Sequence, residues 1–393
     1  MPPVSTLSDR TVPFWRNARV IRALSQIAFA VLVAVVAGAL YSNMKHGLES
    51  RGLWGGFNFL RLEAGFDIGE GITYDLSDSY ARAFVVGVVN TLRVTVVGIV
   101  LATVLGVVAG VARLSSNWLV NKMASAYIEI IRNTPLLVQL FVWYFAVIMK
   151  LPRVRESIAL PGPAFVSNRG LTLSWPVPTD SFGMWLSYLI AGAVVAVVLW
   201  IVRARTQRRT GRPGFRLLWI GAPFVALATL GWFLVPVAPF VLDKPSLEGW
   251  NYQGGLTLTP EFTTLLVGLV VYTGAFIAEV VRAGILAVPR GQIEAARSVG
   301  LNEMQTLRLV TFPQALRIII PPLTSQYLNL AKNSSLAIAI GFPDLFNVAG
   351  TIFNQTGRSI QVIVMIMASY LSMSLFTSLL MNAYNRRVQL VER

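Results

Sequence analysis

The chain has 393 residues, of which 55% are hydrophobic and only 13% are charged, and its formal net charge is +15. Soluble domains carry about 25% charged residues, and several apolar runs here reach the roughly 20 residues that cross a bilayer, so the composition predicts an integral membrane protein. Cysteine is absent and His46 is the single histidine, which excludes thiol catalysis, disulfides, iron–sulfur clusters and a multi-histidine metal site.

Eight apolar runs predict an all-α protein with about eight transmembrane helices. In chain order they cover about residues 23–41, 84–112, 125–149, 182–202, 217–242, 262–288, 316–340 and 360–384. The excess of arginine lies in short segments beside these runs, as the positive-inside rule describes, so it favours membrane topology over nucleic-acid binding.

The basic segments set the expected orientation. Arg10, Arg16 and Arg22 precede the first run, and this polar lead is long for a signal peptide, so we expect an uncleaved first helix. The stretch 203–216 is the densest in arginine, and Arg386 and Arg387 follow the last run. An even number of spans then places both termini in the cytoplasm.

Proline and glycine mark special points within the runs. Asn133-Thr134-Pro135 interrupts the third span, and Pro321-Pro322 predicts a bend or break in the seventh. In the second span, small residues that allow close helix approach recur at Gly87, Gly98, Gly106 and Gly110.

A polar segment at 289–313 separates the sixth and seventh spans and is expected inside the cell. Pro289 suits a helix start, and Ile293, Ala296 and Gly300 share one face, on which small side chains permit another surface to approach. Gly300 suits a left-handed helix end, and Asn302 with Gln305 matches a capping box. The pattern predicts helix, sharp turn, helix. These residues alone leave two interpretations open, a partner-docking site or an amphipathic loop on the lipid surface.

This segment resembles the signature loop of bacterial ABC-importer permeases. The resemblance lies in Glu294-Ala295-Ala296, Gly300 and the ending Val310-Thr311-Phe312-Pro313, where Val310 and Phe312 replace the usual Ile and Leu. In that family the loop forms a coupling helix that inserts into a groove of the ATPase subunit. The resemblance therefore implies ATPase-coupling roles for Gln292, Glu294, Ala295, Ala296, Gly300 and Pro313.

Further motifs narrow the resemblance to the permeases for polar amino acids. They include Asn90-Thr91-Leu92, Arg132-Asn133-Thr134-Pro135-Leu136-Leu137, Tyr272-Thr273-Gly274-Ala275-Phe276-Ile277-Ala278-Glu279 and Lys332-Asn333-Ser334-Ser335. The stretch 64–68, the extra spans between 183 and 242 and the chain length are similar to the general L-amino-acid permeases of proteobacteria.

The resemblance implies a five-helix type I permease core with an additional N-terminal helix and an inserted helix pair. Residues 1–82 would hold the cytoplasmic lead, the first helix and a periplasmic loop. Residues 83–150 and 259–393 would form the two parts of the core, and 151–258 an insertion with a periplasmic loop and two extra helices. The implied partners are an ABC ATPase in two copies, a second permease in a heterodimer and a periplasmic amino-acid-binding protein. ATP and magnesium would be bound by the ATPase, with no cofactor in this chain.

Ionisable residues within spans are costly and are functional candidates. Glu129 and Arg132 are three residues apart, as are Glu279 and Arg282, so each pair can neutralise itself on one helix face. Two interpretations stay open, structural ion pairs or a gate. Arg93 has no partner assigned from sequence, and neither does Lys332.

The candidate substrate path lies on spans six and seven. Tyr272 and Thr273 sit near the middle of span six, where helix–helix hydrogen bonding is the alternative explanation. A zwitterionic substrate needs an anionic or carbonyl partner for its ammonium group, which Glu279 offers. Its carboxylate needs donors, which Asn333, Ser335 or a freed backbone N–H offers, and Ser334 beside them is a further candidate for the path.

The leading functional hypothesis is a permease subunit that imports L-amino acids across the bacterial inner membrane and performs no covalent chemistry. An ion-coupled secondary transporter of small polar solutes is the alternative, since it also uses broken helices. That alternative predicts internal repeats between the two halves, which the sequence does not display, and it leaves the segment at 289–313 unexplained. No P-loop motif for nucleotide binding occurs.

Overall fold

The computed structural model describes residues 18–50, 56–210 and 216–388. The basic residues Arg10, Arg16 and Arg212 lie outside these ranges. The α-helices are α1 Ala18–Glu49, α2 Tyr80–Ala112, α3 Trp118–Asn133, α4 Leu136–Phe141, α5 Phe182–Thr210, α6 Arg216–Leu234, α7 Pro260–Leu286, α8 Arg290–Ser298, α9 Glu303–Thr306, α10 Phe312–Asn333, α11 Leu345–Thr356 and α12 Ser359–Val388. The strands are β1 Ile158–Leu160, β2 Ala164–Ser167, β3 Gly170–Leu173, β4 Trp175–Pro178, β5 Phe240–Asp243, β6 Ser246–Glu248, β7 Asn251–Gln253 and β8 Leu256–Leu258.

The helices confirm an all-α membrane fold. Within the described ranges, 5 helices are long and apolar enough to span a bilayer, or 7 if each of two bent helix pairs forms one span. A shorter apolar stretch, Gly221–Leu234, belongs to α6 and corresponds to the fifth predicted span.

Helices α2 and α7 form the centre of the packing, and glycine lets them approach closely. A methyl group added at Gly106 would lie 2.5 Å from Ile277 Cγ2 and 2.9 Å from the Gly274 carbonyl oxygen. One added at Gly110 would lie 2.6 Å from the Ala278 carbonyl oxygen. Both distances are too short for real contacts, so this interface requires the small residues that its sequence predicts.

The third predicted span is broken where expected. The chain bends by 107° at Thr134 and Pro135, between α3 and the helical stretch Leu136–Lys150 that begins with α4. The buried Gln139 amide donates to the carbonyl oxygens of Ile131 at 2.9 Å and Thr134 at 3.0 Å. Backbone groups released at the break thus find a side-chain donor inside the protein, as an apolar environment requires.

The proline pair of the seventh span does not break the helix, contrary to the prediction. Helix α10 continues through Pro321 and Pro322, and both are exposed, so their rings lie at the helix surface. The change comes after Asn333, where a 3₁₀ segment covers Ser334–Ile340. A left-handed Gly341 (φ +78°) follows, and α11 leaves at 55° to the preceding helix. Transmembrane helices tolerate proline where neighbouring groups satisfy the freed carbonyls.

The fifth predicted span, 217–242, extends beyond the helix that the structure forms there. Helix α6 ends at Leu234, and Phe240–Asp243 forms strand β5 instead. Pro236 and Pro239 lie in between, and proline neither donates a backbone hydrogen bond nor permits helix readily before it.

The segments on either side of the α5–α6 pair contain short strands that were not predicted. The largest sheet is antiparallel with strand order β1-β2-β3-β8. Its last pairing aligns Leu171 with Leu258, so β8 returns to the sheet after both helices. Helices α5 and α6 pack mainly on each other.

Residues 56–79 fold against the ends of α2 and α7 through Glu70. The Glu70 side chain is only 6% exposed, its Oε1 lies 3.9 Å from Arg93 Nη1, and its carboxylate accepts a hydrogen bond from the Thr259 hydroxyl. The Arg93 guanidinium also lies 5.5 Å from the centre of the Phe262 ring. Arg93 therefore has partners within this chain. Burial is the largest effect on Glu70 and raises its pKa, against the lowering effects of Thr259 and Arg93.

We expect Gly106→Ala to lower the free energy of unfolding by about 1–3 kcal/mol, because the added methyl group overpacks the α2–α7 contact. Gly38→Ala is the matched control, since a methyl group there meets nothing within 4 Å; it should leave stability unchanged or raise it by up to ~1 kcal/mol. Thermal unfolding of the purified protein in detergent measures both. Equal stability of Gly106→Ala and wild type would contradict the proposed packing.

We expect Glu70→Gln to alter the pH dependence of stability. The folded state raises the pKa of Glu70, so it favours the neutral carboxyl group. The neutral group therefore stabilises the fold fully below pH 4.5, the ordinary pKa of a glutamate, and this stabilisation is lost as the pH rises through the pKa of Glu70 in the folded protein. Relative to Glu70→Gln, wild type should lose stability above pH 4.5, by at most about 1.4 kcal/mol per pH unit. Thermal unfolding across that range tests this. The exposed Glu63→Gln serves as control, and parallel curves for wild type and Glu70→Gln would refute the effect.

Candidate functional site

An ion cluster joins the ends of α2, α3 and α7. Arg113 Nη1 lies 2.7 Å from Glu279 Oε2, and Arg113 Nη2 lies 3.3 Å from Glu129 Oε1. Arg282 Nη2 lies 2.5 Å from Glu279 Oε1, and its Nε also donates to both carboxylate oxygens. The predicted Glu279–Arg282 pair is therefore confirmed, within a larger cluster.

The other predicted pair, Glu129 with Arg132, is wrong. Glu129 pairs with Arg113, which directly follows α2, whereas the Arg132 guanidinium lies 5.2 Å from the centre of the Phe276 ring on α7. Residues three apart on a helix can meet, but both of these side chains find partners on neighbouring helices. Arg132 consequently places a positive charge beside the aromatic pair of Phe276 and Tyr272, whose ring centres are 4.9 Å apart.

Next to this aromatic pair, a polar cavity of about 240 Å³ lies between α7 and α10. Its lining consists of Tyr272, Thr273, Phe276, Gln326, Asn329 and Asn333. The volume is below the roughly 300–1,000 Å³ of typical ligand pockets, so the cavity suits a small molecule. Carboxamides and hydroxyls both donate and accept hydrogen bonds, which matches a ligand that carries an ammonium and a carboxylate group.

Three of the sequence-predicted path residues line this cavity, namely Tyr272, Thr273 and Asn333. Ser334 is fully buried and donates to the Ala331 carbonyl oxygen, and the Ser335 hydroxyl donates to the Lys332 carbonyl oxygen. These two serines lie outside the cavity lining, since the chain turns into the 3₁₀ segment at Ser334.

Glu279 also lies outside the cavity lining. Two arginines already occupy its carboxylate, so it is not free to receive a substrate ammonium group, and that part of the expectation is corrected. Lys332 is exposed, and the described residues show no ion pair for it.

Phe276, Gln326 and Asn329 were missed by sequence reasoning. Gln326, Asn329 and Asn333 are spaced by three and four residues, so they form a polar stripe on one face of α10. That spacing is the signal in the sequence that indicates Gln326 and Asn329.

The hairpin at 289–313 has the predicted local geometry. Gly300 is left-handed (φ +84°), its N–H donates to the Arg297 carbonyl oxygen, and the Leu301 N–H donates to that of Ala296. This pattern of two hydrogen bonds is the Schellman end of α8. Asn302 and Gln305 form a complete capping box, with distances of 2.9 and 3.0 Å.

The second half of the hairpin is not a separate helix. Helix α9 passes through a π-helical turn, Leu307–Thr311, directly into α10. The face with Ala296 also differs from expectation. Ala296 is 5% exposed, and α8 contacts α9 and the π-helical turn of the same hairpin, so this face of α8 is covered within the chain.

The surface of the hairpin is mostly polar, but some apolar side chains are also exposed on it. Gln292, Glu294, Ala295 and Gly300 are exposed and Pro313 is half-buried. Val299 is 77% exposed and Met304 71% exposed, although apolar side chains usually lie in the interior. Gln292 also contacts the Gln314 side chain at 3.5 Å.

Comparison with known proteins identifies the family. Residues 214–390 match the family described as the binding-protein-dependent transport system inner membrane component. YhdX of Escherichia coli, which bears the name putative amino-acid ABC transporter permease protein, is 48% identical over 94% of this chain and 94% of its own. The general L-amino acid transport system permease protein AapQ of Rhizobium johnstonii is 48% identical over 86% of this chain and 84% of its own.

A third relative is BztB of Rhodobacter capsulatus, a glutamate/glutamine/aspartate/asparagine transport system permease protein, 39% identical over 93% of this chain and 94% of its own. These similarities cover nearly the whole chain and confirm the resemblance found in the motifs. The chain belongs to the amino-acid permeases of bacterial ABC transporters, in the general L-amino-acid branch, as a multi-pass inner-membrane subunit that is not itself an enzyme.

Proposed function

We propose that this permease moves L-amino acids from the periplasm to the cytoplasm and receives the energy of ATP through the hairpin at 289–313. The observation that carries this proposal is the hairpin itself. It is rigidly capped at both helices, it joins α7 to α10, and it exposes Val299 and Met304. Exposed apolar residues on an ordered turn are typical of a surface that a partner covers.

The orientation follows from the arrangement of α7. This helix runs from the strand region, which ends with β8, to the hairpin. A single crossing separates the two, so they lie on opposite sides of the membrane. Arginine is dense around the α5–α6 connection and near the chain ends, which favours cytoplasmic termini, a cytoplasmic hairpin and a periplasmic strand region.

The hairpin is continuous with both walls of the polar cavity. Movement of α8 acts on α7 before it and, through α9 and the π-helical turn, on α10 after it. Tyr272 and Thr273 belong to the first wall and Asn333 to the second. The ion cluster joins α7 to α2 and α3 close to the hairpin, so these helices would respond together. An ATPase then biases the permease by contacting its two states differently.

We propose that the cavity contacts the amino acid during its passage. Asn329, Asn333 and Gln326 offer donors and acceptors for both charged ends of a zwitterion, and Arg132 adds a positive charge at the edge. Within the family, permeases act with an ATPase and a substrate-binding protein. We further propose a second permease of similar fold as heterodimer partner, with ATP and magnesium bound by the ATPase.

Ala295→Trp should weaken ATPase association by roughly tenfold or more, because a bulky side chain on the exposed face of α8 blocks close docking. Co-purification of the ATPase and stimulation of ATP hydrolysis in the reconstituted complex measure the effect. Ser116→Trp, exposed in the loop that follows α2, is the matched control and should behave as wild type. Thermal unfolding should be unchanged in both variants. Normal ATPase association of a well-folded Ala295→Trp protein would exclude this docking face.

Asn333→Ala and Tyr272→Ala should reduce amino-acid uptake by about tenfold or more, as expected for the loss of a hydrogen bond to a charged group. Uptake is measured in proteoliposomes that contain the complete complex, and assembly is checked by size-exclusion chromatography. Ser325→Ala, on α10 but outside the cavity lining, is the control and should transport normally. Wild-type uptake by both cavity variants would remove the cavity from the substrate path.

A further inference from the structure

A second cavity, of about 520 Å³, lies in the strand region away from the ion cluster and the polar cavity. Its charged, polar and aromatic lining residues are Arg153, Arg155, Glu156, Asn168, Arg169 and Trp250. We call it the arginine pocket. Three guanidinium groups and one carboxylate give it a net charge of about +2, since arginine is always protonated in proteins.

Three separate segments build the arginine pocket and hold it in place. The chain that leaves the third span supplies Arg153 and Arg155, and the turn between β2 and β3 supplies Arg169. The Asn168 N–H donates to the Pro152 carbonyl oxygen at 2.9 Å, which joins these two segments. The Ser157 and Tyr252 hydroxyls are 2.5 Å apart, which attaches the β6–β7 hairpin to the first segment.

The turn between β6 and β7 orients two of the arginines. The Arg155 guanidinium lies 3.9 Å from the centre of the Trp250 ring, and its Nε donates to the Gly249 carbonyl oxygen at 3.4 Å. Arg169 donates to the Asn251 side chain. These contacts leave other donors of each guanidinium free, since arginine carries five. The two arginines are therefore ordered before any partner arrives.

The composition of the pocket is that of a protein interface. Arginine and tryptophan are the residues most enriched where binding energy concentrates at interfaces. Trp250 is 70% exposed at the tip of its turn, so much of its ring is available to a partner. A surplus of guanidinium groups selects carboxylates, which they bind in bidentate geometry.

We propose that the arginine pocket is a docking point for acidic side chains of the periplasmic amino-acid-binding protein. This inference rests on the proposed function for the side of the membrane and for the existence of that partner. It adds that residues 151–258 carry part of the contact, through Asp or Glu side chains that enter between Arg153, Arg155 and Arg169. Electrostatic complementarity of this kind accelerates encounter and fixes the register of docking.

The decisive variant is Arg153→Glu. Arg153 is exposed, so reversal of its charge opposes an acidic partner while the contacts that hold Arg155 and Arg169 remain. Arg61→Glu is the matched control, because Arg61 is an exposed arginine in the segment between α1 and α2, on the same side of the membrane and outside the pocket.

The experiment uses the complete complex in proteoliposomes and titrates the periplasmic amino-acid-binding protein of the same organism, loaded with substrate. Arg153→Glu should raise the half-saturating concentration of the binding protein by roughly tenfold, or about 1.4 kcal/mol. Its maximal uptake rate should stay that of wild type. The difference from wild type should shrink at high salt, because screening weakens interactions between exposed charges. Trp250→Ala should raise the half-saturating concentration in the same way.

Saturation curves of Arg153→Glu that match those of Arg61→Glu would overturn the docking assignment. So would a change in Arg153→Glu that follows the anionic lipid content of the vesicles, because it would assign the pocket to lipid headgroups. A wild-type complex that shows no uptake driven by the binding protein would instead contradict the proposed function, so the two failures are distinguishable.

Discussion

The close contact between α2 and α7 is the constraint on which the other features depend. Gly106 and Gly110 lack the side chains that would separate the two helices, so the last turns of α2 lie directly against the backbone of α7. Arg113 at the end of α2 then comes within 2.7 Å of Glu279 on α7. At the opposite end, the same contact brings Arg93 close to Phe262. Charges that would be unfavourable in an apolar layer thus reach partners because two helices lie at short range.

Irregular backbone within the apolar layer is satisfied by side chains that reach it. Gln139 serves the break between α3 and α4. The Asn90 amide donates to the carbonyl oxygens of Glu70 at 3.1 Å and Pro343 at 3.0 Å, and the Thr91 hydroxyl accepts from the Leu345 N–H at 2.9 Å. Helix α2 thereby supports the segment that follows the 3₁₀ turn. Such breaks occur in membranes where protein groups replace water, and here they flank the helices that line the polar cavity.

Local features of this fold were predictable, and features that depend on distant contacts were not. The Schellman end at Gly300 and the capping box at Asn302 depend on neighbours within a few residues, as does the Glu279–Arg282 pair. Glu129 was assigned to Arg132 because its actual partner, Arg113 at the end of α2, is 16 residues away in the chain. Strands of three or four residues are too short for a reliable alternating pattern, and β3 pairs with β8 across two helices.

The residues of the candidate site were likewise predictable only in part. Motif resemblance selected Tyr272, Thr273 and Asn333, which the fold brings to one cavity. Their neighbours Gln326 and Asn329 lie on the same face of α10 as Asn333, three and four residues apart, but no motif marks them. Glu279 looked available to a substrate because sequence does not reveal how two arginines converge on it.

The pairing of β3 with β8 has a consequence for biosynthesis. The ribosome delivers β3 first, and β3 keeps one open edge until α5 and α6 have been made. Strand β8 can reach that edge only if α5 and α6 together return the chain to the side on which β3 lies, because a single missed crossing would leave it on the other side. Closure of the sheet therefore acts as a check on the threading of the inserted pair. A chain that was threaded wrongly would display an unpaired strand edge, which is the kind of surface that promotes aggregation.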